Sequence, residues 1–517
     1  MSSTIQASTL HATTLWKLLE ARAAQTPNLT MLIEAATDRH LTFADCLHRA
    51  ERMAAGLYQR GVRADDVIAW QLPTRVDTVL LALALARLGV VQNPILHLYR
   101  ERELGELVRQ SQPSLLIIPG PDAACDYPTM AASACPDVPQ LVLSGDLPDG
   151  DASLLPPPLP SAAGSVRWLY CTSGTTAGPK AARHTDSSVM AGGYTLGQSM
   201  GVELGDMGSI AYPFAHIGGV MYLTMMLAAG MSAVLLEKFI PTVAVEAYRR
   251  YGVTHAGGST AHYQAFLAEQ RKNPGEKVIP TLKVLSGGGA AKPPELVYQV
   301  QQELQCKVLH AYGMTEAPLV AHCTWSDSDE ELAHTDGCPV AGMEVRIMAE
   351  DGKPAPAGET GEIWIRGRSL CQGYLSAEQT AAAFTDDGFY RTGDLGVQRP
   401  TGHISITGRI KDIIIRKGEN ISAREIEDLL FTHLKVANVA VIGLPDAASG
   451  ERVCAVVEIR EGQSALTFSE MVEFLNSQGL MRQKIPEQLE VVEALPRNQA
   501  LNKVLKYKLR EMFSQNT

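Results

Sequence analysis

Apolar and polar positions alternate in blocks through roughly the first 340 residues of the chain. Helical patterns over Leu15 to Ala24, Phe43 to Arg60 and Arg75 to Leu88 are separated by short apolar runs at Val67 to Gln71 and Ser114 to Ile118. Short apolar runs bounded by turn residues predict buried strands, and their alternation with helices predicts βαβ units in mostly parallel sheets. The same rhythm continues through Ala233 to Leu236, Thr254 to Gly257, Leu282 to Leu285 and Lys307 to Leu309. From Val345 to Ile406 the pattern becomes β-rich, with turns at Asp351-Gly352, Asp387-Gly388 and Thr401-Gly402. Beyond Gly408 an apolar run at Ile413 to Ile415, helices over Ala423 to Phe431 and Phe468 to Gln478, and strands near Val439 to Ile442 and Val453 to Ile459 predict a small separate α+β domain. The predicted fold class is therefore α/β: a large N-terminal region of parallel βαβ sheets plus a β-rich subdomain, followed by a small mobile α+β C-terminal domain.

One segment competes with that picture. Ile217 to Leu236 runs twenty residues without a charge, long enough for a membrane span. Gly218, Gly219 and Gly230 interrupt it, and Ser232 to Leu236 reads as a strand, so it predicts a buried helix, a turn and a strand rather than a transmembrane segment. The proline-rich stretch from Leu154 to Ser165 predicts a semi-rigid spacer.

Composition narrows the function classes. At 517 residues, with 45% apolar and 20% charged positions, the chain is that of a multi-domain globular protein. A net charge of −11 argues against nucleic acid as a partner, because phosphate backbones demand clustered Lys and Arg. Nine cysteines without a CxxC pair suit a reducing, cytoplasmic compartment better than a disulfide framework or structural zinc. No secretory signal pattern is evident at the N-terminus.

Chemistry gathers in six segments. YCTSGTTAGPK, Tyr170 to Lys180, follows an apolar strand pattern and places Thr172, Ser173, Gly174, Thr175 and Thr176 in a row before Lys180. Backbone N–H groups, hydroxyls and an ammonium can converge there on a polyanion. It is not a Walker loop: three residues separate Gly174 from Gly178, Pro179 intervenes, and Ala181 stands where a magnesium-binding hydroxyl is required. LSGGGAAK, Leu285 to Lys292, is a glycine run after a strand, as expected where a ring or backbone approaches closely. HAYGMTE, His310 to Glu316, offers Tyr312 to stack on a base and Thr315 and Glu316 to meet phosphate and magnesium. YRTGDLG, Tyr390 to Gly396, carries Asp394, placed like an acceptor for ribose hydroxyls. Gly408 to Glu427 holds Arg409, Lys411, Lys417 and Gly418, and in PRNQALNKVLKYKLRE Lys503 opens a basic helix. Each segment alone also fits an ordinary role as turn, cap or solvated charge.

Taken together and in this order, the six segments resemble the adenylate-forming superfamily of acyl-CoA synthetases, luciferases and peptide-synthetase adenylation domains, over essentially the whole chain. The resemblance implies an AMP-binding N-terminal domain, 1–408, and a mobile C-terminal domain, 409–517, with a hinge near Lys411. It implies that Thr172 to Lys180 cradles the β and γ phosphates of ATP, that Gly288, Gly289, Ala290 and Tyr312 form the adenine site, and that Asp394 and Arg409 contact ribose. Thr315 would touch the α-phosphate, Glu316 and Thr172 would hold Mg2+, and Lys503 would bridge carboxylate and α-phosphate. The implied catalytic residues are Lys503, Arg409 and Thr315. Lys417 and Gly418 would help complete a CoA channel. The sequence departs from the usual pattern at Ala177, Ala181, His310 and Asn502, none of which removes a charged or hydroxyl group. GGSTA, Gly257 to Ala261, lacks the final glycine of a nucleophile elbow, in keeping with a reaction that needs no covalent enzyme intermediate.

Within the superfamily, IIIRKGENISAREIEDLL and HTDGCPVAGMEVRI look most like short- and medium-chain acyl-CoA synthetases and cyclohexanecarboxylate-CoA ligases. The acyl pocket is expected at Phe214, His216, Ile217, Gly258, Met314 and Leu319. His216 reads equally as a pocket gate or a satisfied core histidine. The only acid in these segments, Glu316, is assigned to magnesium, so an apolar monocarboxylate is favoured over an amino acid. The expected activity is an AMP-forming acid–thiol ligase using ATP, Mg2+ and CoA. The alternatives are loading of a carrier-protein phosphopantetheine and a noncatalytic nucleotide-binding member. Small-molecule substrates are the expected partners, and the reading leaves homo-oligomer formation open.

Overall fold

The computed structural model describes residues 9–122, 125–145, 147–159, 164–172, 180–289, 292–416, 419–446, 449–498 and 503–514. The apolar runs become the strands of two large sheets. In the first, six parallel strands lie in the order Lys307–Tyr312, Val284–Gly288, His255–Gly258, Met207–Ile210, Ser232–Leu235 and Thr30–Glu34. Antiparallel strands border it, Arg39–Thr42 on one edge and Ala321–His322 with Cys338–Pro339 on the other. In the second, Gln140–Leu143, Leu115–Pro119, Val67–Trp70, Val91–Pro94 and Val166–Thr172 run parallel, and Lys180–Thr185 returns antiparallel at the edge. The alternation of helix and strand thus yields mostly parallel sheets, as the sequence predicts.

Helices Val76–Leu88 and Ile217–Ala229 are apolar on nearly every face and are buried accordingly. One continuous core joins their side chains to those of both sheets, Ile68 and Trp70 from the second and Leu32 and Val234 from the first. The uncharged run from Ile217 resolves into helix, left-handed Gly230 and strand Ser232–Leu235, and no described helix is long and apolar enough to cross a membrane.

Met343–Met348, Gly361–Gly367, Tyr390–Gln398 and Ile404–Arg409 form a four-stranded antiparallel sheet with its own small core of Ile347, Ile363, Ile365, Tyr374 and Ile404. From Ile413 onward the chain builds a final sheet in the order Glu419–Ser422, Ile413–Arg416, Gly450–Ile459, Val436–Asp446, with Gln488–Val492 parallel to Gly450–Ile459. Helices Ala423–Phe431, Phe468–Ser477 and Lys506–Ser514 pack on it over two cores drawn only from residues beyond 413. One local expectation fails. Lys503 does not open the last helix, which begins at Lys506; it sits on a hairpin closed by an Arg497 to Val504 bridge. Backbone pairing there outcompetes the weak helical propensity of the stretch.

Candidate active site

Three strands from two sheets bring the first group together. Tyr312 ends the parallel strand Lys307–Tyr312, while Asp394 and Arg409 face each other across the antiparallel strands Tyr390–Gln398 and Ile404–Arg409. Arg409 Nε donates to Asp394 Oδ1 at 2.7 Å, and the Tyr312 hydroxyl donates to Oδ2 at 2.8 Å. A carboxylate has about four acceptor positions, so two donors leave capacity for further hydroxyls. Burial opposes the Arg409 charge, but the carboxylates of Asp394 and Asp412 outweigh it and hold its pKa above the ordinary value.

The second group forms where strand Lys180–Thr185 is knitted to the loop 372–375. Arg183 N–H donates to Gly373 O, Leu375 N–H donates to Ala181 O, and Ala182 bridges Tyr374. This pairing sets the Lys180 ammonium 5.2 Å from the centre of the Tyr374 ring. The Tyr374 hydroxyl donates to Glu316 Oε1 at 2.6 Å and lies 3.1 Å from the Tyr390 hydroxyl. His184 fixes the other side of the turn: its Nε2 lies 2.8 Å from the Thr315 carbonyl, which can only accept, so this nitrogen carries the proton. Burial pushes the His184 pKa down to about 4, keeping the ring neutral. Neither Tyr374 nor His184 stands out in the sequence. Each is a single residue whose contact with the Thr315-Glu316 segment spans more than 50 positions.

The third contribution arrives from the far end of the chain. Lys503 N–H donates to Asn498 Oδ1 at 3.1 Å, and Asn498 N–H returns a 2.8 Å bond to the Lys503 carbonyl. The lysine is half-buried and within electrostatic range of Asp394 and Arg409. Burial first, then the positive charges of Arg409 and Lys411, lower its pKa to about 8, against the pull of Asp394 and Asp412. Lys411 itself lies in a short turn, Ile410–Asp412, between the two sheets.

The glycines sit where a side chain would not fit. A Cβ on Gly288 would stand 2.3 Å from the Ala311 carbonyl oxygen, and Gly289 has φ +77°. Gly258, at φ +140°, has no room for a Cβ beside the His262 ring. The expected acyl-pocket residues do not gather at one surface. Phe214, Ile217 and Leu319 are buried in the main core, with Phe214 stacked on Trp70 at 6.3 Å. His216, Gly258 and Met314 retain partly accessible surface. His216 caps the helix Ile217–Ala229, its Nδ1 accepting from Gly218 N–H at 3.2 Å, and burial lowers its pKa to about 4. Ser173, Gly174, Thr175, Thr176, Ala290, Lys417, Gly418 and the side chain of Thr172 lie outside the described residues.

Comparison with known proteins gives the family. Residues 19–375 match the model of the AMP-binding enzyme family, and residues 425–500 match the AMP-binding enzyme C-terminal domain. The chain is 29% identical over 496 residues to the medium-chain fatty-acid–CoA ligase of Escherichia coli K12, covering 92% of this chain and 87% of that protein. It is 30% identical over 479 residues to the salicyl-AMP ligase / salicyl-S-ArCP synthetase of Mycobacterium tuberculosis, with 88% and 82% covered. Among solved structures, ATP-bound MatB from Rhodopseudomonas palustris superposes with a TM-score of 0.88 at 26% identity, over 98% of this chain and all of that one; its apo form gives 0.77. With family matches over residues 19–375 and 425–500, the protein belongs to the AMP-binding enzymes of the adenylate-forming superfamily.

Proposed function

We propose that this adenylate-forming ligase activates an apolar monocarboxylic acid with ATP and then passes the acyl group to CoA, giving acyl-CoA and AMP. The observation that supports the reading is the surroundings of Lys503: a half-buried lysine beyond residue 413 lies within electrostatic range of the paired Asp394 and Arg409. Two cations thereby face one place where a carboxylate must approach an anionic phosphate. The closer superposition on the ATP-bound than on the apo relative agrees with that arrangement.

In this reading the chain divides at 408, with the hinge at Lys411. Asp394 accepts from ribose hydroxyls while Arg409 and Tyr312 hold its carboxylate in place. Thr315, its carbonyl pinned by His184, presents its hydroxyl to the α-phosphate. Lys180 and the residues 172–176 receive the β and γ phosphates, which leave as pyrophosphate. The carboxylate oxygen attacks the α-phosphorus, and the Lys503 ammonium neutralises charge on both reactants as the bond forms. Glu316 is a hard oxygen donor held by the Tyr374 hydroxyl, a donor type that suits Mg2+. With Thr172 it would hold that ion, which supplies charge neutralisation on the phosphates. For thioester formation the C-terminal part swings away about Lys411, removing Lys503 and bringing Lys417 and Gly418 to the thiol channel. The acid side is bounded by His216, Gly258 and Met314, which offer no second carboxylate for an α-ammonium. The nine cysteines are all free, in support of a cytoplasmic location.

A second reading has a specific basis. A relative at 30% identity, against 29% for the CoA ligase, is named for both an aryl-AMP and a carrier-protein thioester, so a carrier phosphopantetheine is the competing acceptor. Acid-dependent pyrophosphate release is the discriminating measurement, run from acetate to dodecanoate with cyclic and aryl acids, with and without CoA. The expected outcome is turnover with an apolar acid and CoA-dependent conversion to the thioester. Adenylate that accumulates and is discharged only by a carrier protein would move the assignment to the second reading, and no AMP-forming turnover with any acid would end both.

A further inference from the structure

Away from the nucleotide residues, three donors converge where the turn before helix Asp329–His334 meets the turn before strand Ile404–Arg409. They are Asp327, Glu331 and His403, each offering a ligand atom within 4.8 Å of the others. His403 is 5% exposed. Its Nδ1 lies 2.9 Å from Thr401 Oγ1, which fixes the ring, and its Nε2 is buried with no hydrogen-bond partner among the described residues. That nitrogen stands 3.4 Å from Asp327 Oδ2, and Nδ1 stands 3.7 Å from Glu331 Oε1.

Local structure accounts for only part of this cluster. Glu331 Oε2 serves the capping box, accepting from Ser328 N–H and Oγ at 2.8 Å, which turns Oε1 toward the histidine. Asp327 accepts from Thr324 N–H at Oδ2 and from the Thr324 hydroxyl at Oδ1, which holds its carboxylate rigid beside the ring. With Nδ1 engaged by Thr401, Nε2 is left buried, without a hydrogen bond among the described residues, 3.4 Å from Asp327 Oδ2. Two carboxylates beside one buried imidazole concentrate negative charge that a bound cation would offset. The separation also matches the chemistry of one: tetrahedral zinc with ligand bonds of 2.0–2.1 Å has ligand-to-ligand edges of about 3.3 Å. An imidazole held through its second nitrogen and flanked by carboxylates is the arrangement that borderline divalent metals select.

The geometry points to a structural site for a zinc-class divalent cation, bound by His403 Nε2, Asp327 and Glu331 with water completing the shell. Such an ion ties the 327–331 segment of the large parallel-sheet region to the antiparallel strand whose far end carries Arg409. It is separate from the carboxylate Glu316 assigned to MgATP, which lies in another part of the chain.

The test uses the full-length protein, stripped with chelator and dialysed, titrated with ZnCl2 against a competing indicator and with CoCl2 by visible absorption. The expected result is one tight zinc equivalent per chain, a tetrahedral cobalt spectrum and a rise in Tm on adding zinc. His403→Gln and Asp327→Asn should each weaken zinc by at least tenfold, whereas Glu316→Gln keeps it. Should the buried His403 variant fail to fold, Thr401→Val on the exposed turn decides the matter, with affinity expected to fall about tenfold through loss of ring orientation. No stoichiometric zinc in the wild-type chain, or unchanged affinity in both His403→Gln and Thr401→Val, would overturn the site. Zinc lost in Glu316→Gln but kept in the other variants would show binding at the nucleotide site instead.

Discussion

Lys503→Ala should lower acid-dependent adenylate formation by about two to three orders of magnitude, the usual loss when a preorganised charge on a developing transition state is removed. Thioester formation from supplied acyl-adenylate should fall far less, because the proposed mechanism withdraws the lysine in that step. Its depressed pKa adds a second signature. With the ammonium as the working form and a value near 8, kcat/KM for adenylation should decline above about pH 8. Bound triphosphate restores negative charge around the lysine, so the same limb in kcat should lie at higher pH. Lys503→Arg keeps a cation at all these pH values and should abolish the alkaline limb even if its rate is low. The linkage to stability has the opposite slope. The native value is below the ordinary 10.5, so between about pH 8 and 10.5 the unfolded chain binds a proton the native chain lacks, and this residue's contribution to stability rises with pH. Equal losses in the two half-reactions, measured separately by pyrophosphate exchange and by thioester formation, would remove Lys503 from its assigned role.

The sheet architecture was legible because both of its signals are local. Apolar runs such as Val67–Trp70 and Leu115–Pro119 are uniform because both faces of a parallel sheet are covered, and glycine turns mark where they stop. The charged and hydroxyl groups of the site were legible for a different reason: they cluster within short segments that keep a fixed order. Asp394, Arg409 and Tyr312 do meet, at hydrogen-bond distance. What could not be read were partners created by tertiary pairing. Tyr374 reaches Glu316 only because strand Lys180–Thr185 zips onto the 372–375 loop, and no periodicity of either segment announces that contact. The acyl side suffers from the same limit in reverse. Phe214 and Leu319 look like pocket wall by composition, yet an apolar side chain next to a site and one packed beneath it are indistinguishable in sequence. Lys503 failed as a helix residue because the bond between Asn498 and the Lys503 backbone closes a hairpin there, and that bond is invisible without the fold.

Gly257→Ala should destabilise the N-terminal part by at least about 3 kcal/mol, from overpacking against backbone and a φ that L-residues rarely adopt. Strands His255–Gly258 and Val284–Gly288 pair in parallel with Gly257 opposite Ser286, and a Cβ on Gly257 would fall 1.5 Å from the Ser286 carbonyl oxygen at φ +157°. No side chain can rotate away, because the obstacle is a peptide group. Gly287 repeats the problem one pair along, where its Cβ would stand 2.6 Å from Gly258 O, and Gly288 again against Ala311. These glycines lie at the carboxyl ends of adjacent parallel strands, the end at which open α/β sheets bind ligands. Gly462→Ala is the matched control: at φ +79° with nothing within 4 Å of its Cβ, it carries the backbone strain without the collision. The first transition in urea should shift strongly downward for Gly257→Ala and only slightly for Gly462→Ala. Gly288→Ala should be intermediate in stability and should raise the KM for ATP, because its collision is with Ala311, next in the chain to Tyr312, which the proposed function sets at the adenine. Equal urea midpoints for Gly257→Ala and Gly462→Ala would mean that the strands part without cost, and the close approach could then not be what shapes the nucleotide face.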